Sequence, residues 1–61
     1  MRGVLSVREW RRRREQASIL IGYVMEAPRG RKREAWRIYR EWQEGRMKFT
    51  EAKRRLLGLL R

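Results

Sequence analysis

Residues 6–26 read Ser-Val-Arg-Glu-Trp-Arg-Arg-Arg-Arg-Glu-Gln-Ala-Ser-Ile-Leu-Ile-Gly-Tyr-Val-Met-Glu, and the fold turns on whether this is one helix or a basic coil leading into a strand. Ser18 to Met25 is rich in β-branched residues, which favours a strand, but no second strand-like run exists to pair with it. Ser6, Val7, Arg8 and Glu9 spell a capping box, in which the Ser hydroxyl accepts a backbone N–H and the Glu side chain reaches back to the cap. A helix over about 7–26 is therefore predicted. In 100° steps, Val7, Trp10, Ala17, Leu20, Ile21, Val24 and Met25 fall within about 140° and form its predicted core face. Arg8, Arg11, Arg12, Glu15, Gln16 and Ser18 lie opposite, while Arg13 and Arg14 intrude on the apolar arc and must snorkel or meet an anion. Ile19 and Tyr23, four residues apart and outside the arc, read as a second apolar patch for a partner. Gly22 costs such a helix up to about 1 kcal/mol relative to Ala and reads as the site of a close crossing or a bend.

Outward from this helix, Glu26-Ala-Pro-Arg-Gly-Arg is punctuation: Pro28 disfavours a helical Ala27, and Gly30 is free to take conformations closed to other residues. A second helix is predicted over about 31–44, stopped by Gly45. Its wheel gathers Ala35, Ile38, Tyr39 and Trp42 within about 100°, and Arg33, Arg37 and Arg40 within about 60° on the far side. After a short turn whose Met47 and Phe49 plug the open end of a helical hairpin, Thr50 is placed to cap a third helix over about 50–60. There Phe49, Ala52, Leu56, Leu59 and Leu60 form an apolar stripe beside Lys53, Arg54 and Arg55. Trp10, Trp42, Met47 and Phe49 are all predicted to be core. The expectation is an all-α fold: one small three-helix domain over 1–61, a long N-terminal helix followed by a helical hairpin.

Composition narrows the function. The 61 residues carry 18 Lys or Arg against 7 acidic side chains, a net charge of +11, yet 41% are apolar, too many for a disordered basic tail. A chain this short buries only about 60% of its unfolded surface, so a bound partner is expected to add to its stability. It has no Cys, His or Asp, and its Glu residues stand apart among Arg residues, so no disulfide, zinc cluster, nucleophile pair or carboxylate pair is expected, nor any cofactor or enzymatic activity. Asn is also absent, and 15 of the 18 basic residues are Arg, a composition suited to a hot-living source and equally to GC-rich codons. Arg11 to Arg14 before Ile19 to Met25 imitates a signal peptide, but the apolar run is short, Glu26 and Pro28 suit cleavage poorly, and no spanning run of roughly 20 apolar residues is assembled. The expected location is the cytoplasm or a nucleoprotein particle.

The candidate nucleic-acid contacts are Arg8 and Arg11, Arg12, Arg13 and Arg14 on the first helix, Arg29, Arg31, Lys32 and Arg33 around the connector, and Arg37 and Arg40 on the second helix, with Trp36 beside them. On a helix, Arg11 to Arg14 fan over about 300°, which suits insertion into a deep groove of phosphates, unless Glu9 with Arg13 and Arg11 with Glu15 tie them down. Trp36 borders the Arg33, Arg37, Arg40 stripe, so a base can stack on the ring while the stripe holds phosphates. Pairing of Glu41 with Arg37 and of Glu44 with Arg40 would weaken that track. The connector cations precede a helix N-terminus, which adds outward N–H groups.

Duplex reading by a helix-turn-helix fits poorly: with Gly45 as the turn glycine, Glu41 occupies a small-residue site, and the third helix offers no Asn or Gln to a base edge. RNA is therefore favoured over DNA, with sequence-blind DNA packaging as the alternative. A further alternative is a protein-interaction module or virion component, through surplus apolar surface at Ile19, Tyr23, Leu57 and Leu60 or by self-association. Seven interspersed Glu residues and the Pro/Gly break weaken a membrane-active reading.

Overall fold

A computed structural model describes residues 6–61, and they form three α-helices. Helix α1 spans Val7–Glu26, α2 spans Lys32–Gln43 and α3 spans Phe49–Leu59, with a 3₁₀ turn at Arg29–Arg31 leading into α2. Each helix packs on the other two. The all-α architecture predicted from the sequence is the one observed; Met1 to Leu5 of the expected 1–61 domain lie outside the described residues. The capping box forms: the Glu9 N–H donates to Ser6 Oγ at 3.2 Å and the Ser6 N–H to Glu9 Oε1 at 3.3 Å. Ala27 is extended, as the following proline requires, and its side chain is buried in the core. Gly45, at φ 83°, ends α2: its N–H donates to the Trp42 carbonyl, and that of Arg46 to the Glu41 carbonyl, the paired bonds of a Schellman motif.

The core consists of Leu20, Val24, Ala27, Ala35, Ile38, Trp42, Ala52 and Leu56. It occupies only one edge of the arc predicted for α1. Tyr23 packs half-buried against it, whereas Val7, Trp10 and Met25 are exposed. The physical reason is that α1 meets two helices at once, so its buried face turns toward Tyr23 and away from Val7 and Met25. The predicted Ile19–Tyr23 patch is thereby split, with Ile19 exposed and Tyr23 absorbed. Leu60 is likewise half-buried on the core, while Leu57 stays exposed.

Trp10 corrects the core assignment most clearly, at 52% exposed against 4% for Trp42. At 1.5 Å per residue, the 20 residues of α1 run about 30 Å and the 12 of α2 about 18 Å. The helices are antiparallel and joined at the far end, so the first turns of α1 pass beyond the C-terminus of α2 and have no other helix among the described residues to bury against. Three smaller corrections follow from the same packing. Thr50 does not cap α3: Lys48 holds the N-cap position without a side-chain bond, because a cap two residues earlier brings Phe49 onto the core from within the helix. Gly30 lies inside the 3₁₀ turn without a positive φ. A Cβ built on Gly22 would meet nothing within 4 Å, so no helix crosses close to it.

The helix C-termini show where some of the cations go. Neither α1 nor α3 has a basic residue in its last turn. Instead Lys32 Nζ donates to the Met25 carbonyl at 2.9 Å, and an Arg31 guanidinium N–H reaches the Leu59 carbonyl at 3.5 Å. Arg13 donates to the Gln43 carbonyl at 2.9 Å, at the end of α2. Each helix therefore has a cation from elsewhere in the chain at its negative end, an arrangement that stabilises by about 0.3–1 kcal/mol per site.

Candidate nucleic-acid interface

The residues that the α2 wheel set opposite the core come together on its outer face. Arg33, Trp36, Arg37 and Arg40, with Gly30 and Glu34, line a shallow groove of about 640 Å³. All three guanidinium groups are exposed, and Trp36 is 43% exposed at the groove wall. Glu41 and Glu44, whose pairing would have weakened the stripe, do not pair with it. Among the described residues, ion pairs join Glu44 to Arg46 at 3.6 Å and Glu51 to Arg55 at 2.8 Å, and neither involves the stripe. One face of α2 thus presents three cations and an aromatic ring, with Glu34 the one acid in the groove.

Trp36 also begins a ladder of rings along α2. Its ring meets Tyr39 edge-on at 5.8 Å between centroids, and Tyr39 meets Trp42 at 5.7 Å. Arg13 closes the ladder, its guanidinium 4.7 Å from the Trp42 ring centre. Each step of three residues turns the ladder by about 60°, so it runs from Trp36 on the outer face round to Tyr39 and Trp42 beside α1.

No protein-family model, curated protein or solved structure matches the chain. Its geometry alone carries a functional reading. No helix among the described residues is long and apolar enough to cross a membrane.

The remaining residues singled out in the sequence divide by what they touch. Arg13, Arg31 and Lys32 are engaged at the helix ends described above. The alternative Glu9–Arg13 pair is absent because Glu9 caps its own helix and Arg13 lies between the Trp42 ring and the α2 terminus. Arg11 and Glu15 form no ion pair either, and both line a shallow groove on the outer side of Trp10. Arg14 folds over the Trp10 ring, 5.3 Å from its centre. Arg8, Arg12 and Arg29 are exposed. The two residues flagged as intruding on the apolar arc therefore resolve it in the same way, each laying its guanidinium on a tryptophan.

Sequence reading missed a second groove, of about 490 Å³, between the overhanging part of α1 and the end of α2. Trp10, Ala17, Tyr39 and Trp42 line it, with Arg13, Arg14 and Gln43. Helix lengths held the signal: an antiparallel pair with predicted lengths this unequal leaves one end of the longer helix uncovered.

Proposed function

We propose that this protein is a non-enzymatic nucleic-acid-binding protein, a small RNA-binding component of a ribonucleoprotein particle such as the ribosome, that holds phosphates on the outer face of α2. The observation that carries the reading is the set of three guanidinium groups, Arg33, Arg37 and Arg40, that share one groove with a half-exposed tryptophan and form no ion pair among the described residues. An array of guanidinium groups without internal partners suits an external polyanion, since each phosphate contact releases condensed counterions. The Trp36 ring beside it offers a stacking face, which favours an unpaired base over a closed duplex. Unpaired, splayed bases are the usual target of sequence-reading RNA binders, which is why RNA stands ahead of DNA. With a net charge of +11, the rest of the surface reinforces this attraction without regard to sequence. Such a protein works inside the particle it helps to hold together.

The test is binding to a structured RNA, a single strand and a duplex DNA of equal length across a salt series, followed by the intrinsic tryptophan fluorescence. The proposal expects tighter binding to RNA that persists at physiological salt. Equal binding to all three that vanishes with salt would reduce the protein to a sequence-blind polycation and favour DNA packaging. No binding at low salt would overturn nucleic-acid function altogether.

A further inference from the structure

The groove at the overhanging end of α1 is built differently from the one on α2. Its lining is largely aromatic and apolar, from Trp10, Ala17, Tyr39 and Trp42, with Arg13 and Arg14 among its polar members. Trp10 is its least protected part, at 52% exposed, and the indole also borders the groove of Arg11, Glu15 and Ser18 on its other side. The Arg14 guanidinium lies 5.3 Å from the ring centre and covers one face at most, and the half-exposed indole lines two grooves. An indole so placed at the rim of a cationic cleft matches a planar aromatic ligand that carries negative charge at its edge. A nucleotide has that chemistry: the base is a ring that stacks, and the phosphate is an anion for a guanidinium.

The ladder of rings also links the two grooves. Trp36 belongs to the α2 groove, Tyr39 and Trp42 to this one, and the three rings touch in series. Arg13 cannot easily turn to a ligand, since it is held by the Gln43 carbonyl and the Trp42 ring. Arg14 and Arg11 have no such anchor, Arg14 resting only on Trp10, and both border the indole.

Resting on the nucleic-acid reading above, we infer that the cleft between Trp10 and the Tyr39–Trp42 pair is a second subsite, which takes one unstacked base of a single-stranded segment against the Trp10 ring while Arg14 holds the adjoining phosphate. The strand then runs from the α2 stripe, past Trp36 and the half-buried Tyr39, to the overhang of α1. The ligand class becomes single-stranded or bulged nucleic acid with at least two accessible bases.

The experiment compares an end-labelled single strand with the same sugar-phosphate strand lacking bases, by fluorescence anisotropy, for the full-length protein and its Trp10→Ala and Trp10→Phe variants. The base-bearing strand should bind Trp10→Ala roughly 5- to 100-fold more weakly than the unaltered protein, with Trp10→Phe retaining most of the affinity. The baseless strand should bind all three alike. Because Trp10 is outside the core, the melting temperature should hold steady in both variants. Equal losses on both strands, or no loss on either, would overturn the subsite while leaving the phosphate-binding face intact. Failure of the unaltered protein to bind either strand would overturn the subsite and the nucleic-acid reading together.

Discussion

The inner flank of α2 and its outer face are made of the same residue types put to opposite use. On the inner side Trp42 is buried, Arg13 lies over its ring and caps the helix, and Lys32 satisfies the end of α1. On the outer side Trp36 is half-exposed, and among the described residues Arg33, Arg37 and Arg40 have no ion pair. Lys32 and Arg33 are neighbours in the chain and fall on either side of this division. Charge density in a sequence therefore says little about which cations are available to a partner. What separates them is whether a helix end or an aromatic ring of the same fold lies within reach.

The largest effect expected from this contrast is at the tryptophans. Trp42→Ala should cost about 3–5 kcal/mol, enough to unfold so small a domain, whereas Trp36→Ala should leave the melting temperature nearly unchanged. Thermal denaturation followed by circular dichroism checks both, and similar losses would erase the distinction between the two flanks. Next in size is the effect of Trp36→Ala on binding: a single-stranded oligonucleotide should bind about 1–3 kcal/mol more weakly, measured by titration at fixed salt. A variant that binds as the original does would return Trp36 to a purely covering role. Smallest is the contrast among cations. Arg13→Gln and Lys32→Gln should each destabilise the fold by about 0.3–1 kcal/mol, because each removes a cation bonded to a carbonyl at a helix C-terminus, whereas Arg37→Gln should not. Chemical denaturation resolves the difference if the three variants are run side by side, and a loss in Arg37→Gln equal to the others would show that no cation is set apart.

Much of this division was legible in the sequence and some was not. The boundaries of α1, the opposed stripes of α2 and the stop at Gly45 followed from local rules of capping, periodicity and chirality, and they hold residue by residue. The stripe of Arg33, Arg37 and Arg40 with Trp36 on its border was likewise readable, because a helix wheel needs no tertiary knowledge. Whether Glu41 and Glu44 would neutralise it was not, since i,i+4 pairs are worth only a few tenths of a kcal/mol and other contacts easily override them. The error at Trp10 had another origin: amphipathicity tells which side of a helix is apolar, not how far along its length a partner extends. Thr50 shows the same limit at smaller scale, where packing of Phe49 outweighed a side-chain cap.

The central claim, that the outer face of α2 is a phosphate-binding surface rather than one part of a uniformly basic exterior, is tested most directly by the salt dependence of binding. The measurement compares the unaltered protein, the triple variant Arg33→Gln/Arg37→Gln/Arg40→Gln, and a control triple Arg46→Gln/Lys53→Gln/Arg54→Gln that removes the same charge elsewhere. On a single-stranded ligand, the α2 triple should flatten the slope of log K against log salt by about 2, at roughly 0.7 for each phosphate no longer neutralised, and the control should keep the original slope. Equal flattening in both triples would contradict the account, because total charge and not this face would then govern binding.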